Sequence, residues 1–199
     1  VFTLFLSLGM LHLARQSALV KKLNAVETLG SVDVICTDKT GTLTENKVSL
    51  ILHVDMEGNK DDKVLQYSFL NSYYETGLKS PLDDAILNYR EFDVKGYQKI
   101  DEVPFDFIRR RVSVIVDYKG ERFFIAKGAP EEIIKICSYC ELQEEIFDLT
   151  DEFQTKIEQK YNELSSQGLR VLGVLYKKIK EKKMHYSVSD EIDMVFLGF

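Results

Sequence analysis

A chain of 199 residues with 45% hydrophobic residues is long enough to bury a substantial core, as one ordinary domain or two small ones. Its 26 Lys and Arg against 32 Asp and Glu give a formal net charge of -6, with the basic residues scattered, which excludes the basic footprint of a nucleic-acid binder. Three cysteines, Cys36, Cys137 and Cys140, are an odd number in so apolar a chain, which excludes a disulfide framework and fits a reducing cytosol.

Residues 1–14 (VFTLFLSLGMLHLA) form an apolar run broken by His12 and followed by Arg15, Lys21 and Lys22. A bilayer crossing needs about 20 apolar residues, so this run cannot span alone. A secretory signal would need a charge before the run and a cleavage site after it, and neither is present. Two readings stay open: a buried amphipathic helix, or the end of a longer membrane helix with Lys21 and Lys22 on its cytoplasmic flank. Residues 32–36 (VDVIC) predict a buried parallel strand, and residues 47–55 (KVSLILHVD) a second strand closed by the turn-rich 57–62. Helical patterns cover 63–74 and 82–92, separated by Gly77, Ser80 and Pro81.

Residues 111–118 and 122–126, joined by Lys119-Gly120-Glu121, predict a β-hairpin. Pro130 opens a short helix through Cys137, and Thr150-Asp151-Glu152 caps a longer one that Gly168 closes. Residues 169–176 and 194–199 are further strands, with a solvated charged run, 177–183, between them. Cys137 and Cys140 make a lone CxxC; zinc would want a second pair or nearby histidines, and His12, His53 and His185 have no such spacing. Tyr73-Tyr74 reads as packing.

Residues 38–44, DKTGTLT, follow the VDVIC run directly. In open α/β sheets, reactive groups gather beyond the carboxyl ends of parallel strands, where this puts Asp38. A carboxylate there can attack a phosphoryl group and become an aspartyl phosphate. Gly41 lets the backbone approach phosphate oxygens, Thr40 and Thr42 can donate to them, and Lys39 adds a positive charge. All seven residues match the signature of P-type ATPases, a branch of the haloacid-dehalogenase-like phosphotransferase fold, and the chain is identified as a member of that family. The resemblance implies Mg2+ at Asp38 and the Thr40 carbonyl, ATP as phosphoryl donor, and a stalk in residues 18–30 that follows the fourth membrane helix. Many phosphatases of the wider fold carry a second Asp two residues after the nucleophile; Thr40 stands there, which leaves water poorly activated and the aspartyl phosphate longer-lived.

Residues 127–131, KGAPE, are the second match. By the resemblance, Lys127 lines the adenine pocket, Gly128 lets the backbone pass the base, and Phe105 in PFDFIRRR (104–111) stacks on adenine. Phe107 reads as core. On a loop Arg110 can reach phosphates while Arg109 and Arg111 face solvent, an order that the three residues by themselves leave open; by the resemblance Arg170 lies near the triphosphate, and Asp83, with Asp84 as alternative, accepts from the adenine amino group. PFDFIRRRVSVIV followed by KGAPEEIIKIC resembles magnesium-transporting and bacterial calcium-type pumps more than copper or zinc pumps.

The expected fold class is α/β: part of a haloacid-dehalogenase-like phosphorylation half-domain with an inserted α+β nucleotide-binding domain on a mainly antiparallel sheet. The expected divisions are 1–30 (membrane helix end and stalk), 31–46 (start of the phosphorylation domain), 47–192 (nucleotide-binding domain) and 193–199 (return to the phosphorylation domain). The resemblance implies an ATP-binding, autophosphorylated cytosolic part of a cation transporter in the cell membrane. Its partners would be ATP and the rest of the parent pump: actuator domain, membrane helices and second half of the phosphorylation domain. Two alternatives are a soluble phosphatase of the wider fold and a nucleotide-binding module without catalysis.

Overall fold

The computed structural model describes residues 2–44, 47–77 and 79–199, with the backbone alone described at Thr40. The chain divides into two compact units, Val1–Lys47 and Val48–Phe199. In the first unit, α1 (Phe2–Arg15) carries apolar residues on every side and leaves Phe2, Leu4 and Phe5 exposed. Among the described residues no helix is long and apolar enough to cross a membrane. Gly9 lets α1 lie against α2 (Asn24–Leu29), since a Cβ there would meet Val26 Cγ1 at 2.9 Å.

The strand expected at 32–36 is not formed. Val34 and Ile35 are exposed, and no described segment runs alongside to supply the amides and carbonyls that a ladder requires. The strand expected at 47–55 is also absent, apart from Val54, which bridges Lys60 and exchanges backbone hydrogen bonds of 2.9 and 2.8 Å with Phe199. Asn46, the expected end of the phosphorylation segment, lies outside the described residues.

The second unit is built on a seven-stranded sheet in the order β1-β2-β3-β6-β7-β4-β5. Its strands are β1 (Tyr97–Asp106), β2 (Arg111–Tyr118), β3 (Glu121–Gly128), β4 (Cys137–Leu142), β5 (Glu145–Asp148), β6 (Gly173–Ile179) and β7 (Met194–Gly198). Every neighbouring pair is antiparallel except β4 with β7, so the expected mainly antiparallel sheet is present. The hairpin of β2 and β3 stands where it was expected. Its continuous apolar run is explained by burial on both faces, since alternate strand residues serve two cores. Val114, Val116 and Ile125 pack with Val64 and Leu70 on one face, while Ile115, Phe124 and Ala126 pack with Ile133, Ile157 and Leu164 on the other. The first set of helices is α3 (Asp62–Tyr74) and α4 (Pro81–Tyr89); the second is α5 (Pro130–Ile133) and α6 (Asp151–Ser166).

Several boundaries differ from expectation. The helix opened by Pro130 stops at Ile133, passes through a 3-10 turn to Ile136, and gives way at Cys137 to β4. β4 and β5 meet at Gln143-Glu144, both with positive φ (53° and 69°), a two-residue turn without the Asn-Gly signal that marks it in sequence. β1 was not expected because it is polar and contains Pro104, and its place at the sheet edge is where a strand proline is tolerated. β6 begins four residues later than expected and takes in Lys177 and Lys178 of the run read as a solvated loop. β7, expected to return to the phosphorylation half-domain, is a fully buried interior strand of this sheet. A Cβ on Gly198 would meet the Val54 carbonyl oxygen at 2.1 Å, so only glycine fits this approach.

Candidate functional site: a cleft beside the hairpin and an exposed aspartate loop

In the first unit, Asp38 sits in extended backbone at the entrance to a single π-type turn, Lys39–Leu43. Gly41 takes φ +77°, which L side chains rarely adopt, and its amide donates to Thr44 Oγ1 at 3.4 Å. Asp38, Lys39 and Thr42 are exposed; the Thr40 side chain lies outside the described residues. The oxygen donors suit a magnesium ion, which binds one or two carboxylates and otherwise water and phosphate. Among the described residues no group of three or more His, Cys, Asp or Glu could hold a metal by itself.

In the second unit a cleft of ≈ 340 Å³ opens at the ends of β1, β2 and β3, within the size of small-molecule sites. Phe105, Arg110, Glu131, Tyr161 and Arg170 line it together with Leu82 and Ala129. Phe105 is 48% exposed, with its ring edge-to-face on Phe107, centroids 5.4 Å apart at 85°. Phe107, expected in the core, is 90% exposed, because the turn between β1 and β2 carries it away from both faces of the sheet. Asp106 fixes that turn by accepting the amides of Ile108 and Arg109, each at 2.8 Å. Arg110 has φ +50° and extends over the cleft to Glu131 at 2.6 Å. Arg109 and Arg111 do not face solvent as expected: both turn inward to the buried Glu191 carboxylate, at 2.8 Å each.

Lys127 and Asp83 form a second group. Lys127 is 5% exposed, ion-pairs with Asp83, donates to Ser72 Oγ at 2.5 Å, and lies 3.5 Å from Glu75. Asp83 is the third residue of α4 and closes its capping box with Ser80, whose amide donates to it at 2.8 Å; Ser72 donates to it at 3.0 Å. Burial pushes the Asp83 carboxyl up, but the Lys127 charge and the hydrogen bonds from Lys127 and Ser80 outweigh it and hold the group low. For Glu75 burial wins over the pull of Lys127 and the carboxyl is raised. Its Oε2 is buried without a hydrogen-bond partner. Lys127, Gly128 and Asp83 do not themselves line the cleft; Leu82 and Ala129, the chain neighbours of Asp83 and Gly128, do.

The sequence reading missed Glu75, Glu131, Tyr161 and Glu191. Glu131 was within reach as the last residue of KGAPE; nothing local marks the other three, which are brought in by folding. Cys137 and Cys140 are free thiols. Burial pushes Cys137 up to about 12 while its Sγ donates to the Ile133 carbonyl, so it is an inert packing group.

The second unit is thus a helix-covered, mainly antiparallel sheet with an open polar and aromatic cleft, and the motif DKTGTLT precedes it in the chain. The chain belongs to the P-type ATPase family: the family model for the P-type ATPase cytoplasmic domain N matches residues 44–199. It is 40% identical over 205 residues to the magnesium-transporting ATPase, P-type 1, of Escherichia coli, a match covering 100% of this chain and 23% of that protein. It is 32% identical over 220 residues to calcium-transporting ATPase 1 of Lactococcus lactis (100% and 25%) and 34% identical over 186 residues to the plasma membrane ATPase of Kluyveromyces lactis (89% and 20%). The chain thus spans about a quarter of the length of the curated relatives it matches.

Proposed function

We propose that the second unit binds ATP in the Phe105 cleft and that Asp38 accepts its γ-phosphoryl group, within a pump that moves a cation across a membrane. The observation that carries the binding half is the convergence of Phe105, Arg110 and Arg170 on one cleft from a strand end, a turn and a loop. The face of Phe105 takes the adenine, Lys127, Gly128 and Asp83 lie beside the lining residues Leu82 and Ala129, and Arg110 and Arg170 reach toward phosphate. Binding requires Arg110 to exchange Glu131 for phosphate oxygens.

The chemical half is in-line transfer. A carboxylate oxygen of Asp38 forms a bond to the γ-phosphorus, the bond from that phosphorus to the β–γ bridging oxygen breaks, and ADP leaves. Lys39 and the amides of the π-type turn face the charge on the transferring oxygens, with Gly41 allowing the close backbone approach. Asp38 and the Thr40 carbonyl would hold Mg2+, which supplies charge neutralisation when bound. Asp38 and Thr40 are too few ligands for it, so the chain alone turns over little. The names of the relatives support magnesium or calcium as the transported ion class.

The test has two arms. Calorimetric titration of ADP should show Phe105→Ala weaker by about 1 to 3 kcal/mol, the range for a base stacked on an aromatic side chain; unchanged affinity would misplace the base. In a full-length pump carrying this chain, Asp38→Asn should abolish hydroxylamine-labile label from γ-labelled ATP while leaving nucleotide binding intact. Label that persists in the Asn variant rejects Asp38 as nucleophile.

A further inference from the structure

Three consecutive arginines, 109 to 111, enter one turn, yet just one of them lines the cleft. The other two converge on Glu191, 80 residues further along the chain. The Glu191 side chain is fully buried, and both of its oxygens are taken: Arg109 Nη1 donates to each at 2.8 Å, Arg111 Nε donates to Oε2 at 2.8 Å and Ser113 Oγ to Oε1 at 2.6 Å. A buried carboxylate shared by two guanidiniums holds them where a neutral group would not. Glu191 is itself held rigidly, following a 3-10 turn closed by a Ser187–Asp190 capping box, with its amide on the Val188 carbonyl at 3.1 Å.

With both neighbours drawn to one side, the residue between them is set by its backbone. Arg110 has φ +50°, its amide donates to the Asp106 carbonyl at 2.8 Å and its carbonyl accepts from Ala129 at 3.0 Å. A Cβ on Gly128 would lie 2.4 Å from that carbonyl oxygen, so the backbone of the KGAPE turn clasps Arg110 from below. A left-handed arginine costs about 1 to 3 kcal/mol and persists where its surroundings over-determine it. Those surroundings are the Glu191 clamp and the Gly128 contact, and the outcome is a guanidinium projected over the cleft beside Phe105 and Arg170.

We infer that Glu191 is a positioning residue that, by holding Arg109 and Arg111, aims Arg110 at the phosphates of a nucleotide in the cleft. This rests on the nucleotide reading given above. A positioning role for a phosphate arm has a signature that a general structural role lacks: it changes affinity for ADP and leaves adenosine untouched.

The experiment is calorimetric titration of adenosine and of ADP into the full chain as wild type, Glu191→Gln, Arg110→Met and the double variant. Arg110→Met and Glu191→Gln should each weaken ADP by about tenfold, the size of one charge-assisted hydrogen bond, with adenosine unchanged. The double variant should be no weaker than Arg110→Met alone. A wild-type ADP-to-adenosine ratio in folded Glu191→Gln, or a second full loss of ADP affinity in the Arg110→Met background, overturns the inference. If Glu191→Gln does not fold, Ser113→Ala removes one neutral donor from the same carboxylate and should lower the ratio in the same direction; an unchanged ratio there overturns it equally. A wild-type chain that binds neither ligand rejects the nucleotide reading itself and this inference with it, whereas wild-type binding with an insensitive ratio rejects the positioning role alone.

Discussion

Lys127 is held by two buried carboxylates whose titrations run in opposite senses, so stability and pH are linked there. Asp83 is depressed: its contribution is present above the ordinary aspartate range and is lost as pH falls through its folded value. Glu75 is raised: it favours the folded state while protonated, and that contribution is lost as pH rises through its folded value. Lys127→Met removes the cation that lowers both groups. We expect a loss of about 3 to 5 kcal/mol near pH 7, the cost of breaking a buried pair. The loss should be smaller at pH 5 than at pH 8, because the stranded carboxylates then protonate. Urea melts at the two pH values check this, and a pH-independent loss would contradict it. At Phe107, 90% exposed on the hairpin turn, Phe107→Ser should change stability by less than about 0.5 kcal/mol in the same assay, as surface substitutions do. The motif PFDFIRRR does not reveal which of its two phenylalanines is exposed at a tip and which lines a cleft. That depends on where β1 ends, and β1 was not legible.

Among the elements, α6 shows the sequence at its most readable. Thr150 accepts the Phe153 amide at 3.4 Å, Asp151 and Glu152 occupy the first turn, and Gly168 takes φ +79° just past the end. Local chemistry specifies each of these, and no tertiary contact is required. Thr150→Ala should therefore cost about 1 kcal/mol, read as a shift in urea midpoint at constant slope. A loss several times larger would mean that Thr150 has a tertiary role. The β2–β3 hairpin was equally legible, because Lys119-Gly120 supplies two positive-φ residues between β-branched runs. β4 and β5 were not: their turn places Gln143 and Glu144 at positive φ, which neither residue prefers, and β5 is exposed along its whole length. Pairing of β4 with β7 from the far end of the chain stabilises what local propensity does not.

For the whole molecule, both apolar clusters lie between Val54 and Phe199, and Phe199 pairs its backbone with Val54. A chain starting at Val48 should accordingly unfold in one cooperative transition and bind ADP as tightly as the full chain. Calorimetry with a denaturant melt tests this; a broad, non-cooperative transition would show that residues 1–47 contribute to the fold of the second unit. The same closure fixes the place of β7 in this sheet. Its apolar run is equally suited to either neighbouring domain, and its place is set by pairing with β4 and β6, while Phe199 just beyond it pairs with Val54.

Sequence by itself determined the family, through DKTGTLT and KGAPE, and singled out Asp38, Phe105, Arg110 and Arg170 as candidates. Those motifs are contiguous, and the residue types alone state their chemistry. Tertiary structure alone decided that of the three arginines Arg110 lines the cleft, that Asp83 and Lys127 pair with each other, and that Glu191 reaches back 80 residues to Arg111. The physical reason is that burial and ion pairing are properties of the surroundings. A carboxylate or guanidinium reads the same in any sequence until the fold sets what lies within 3 Å of it.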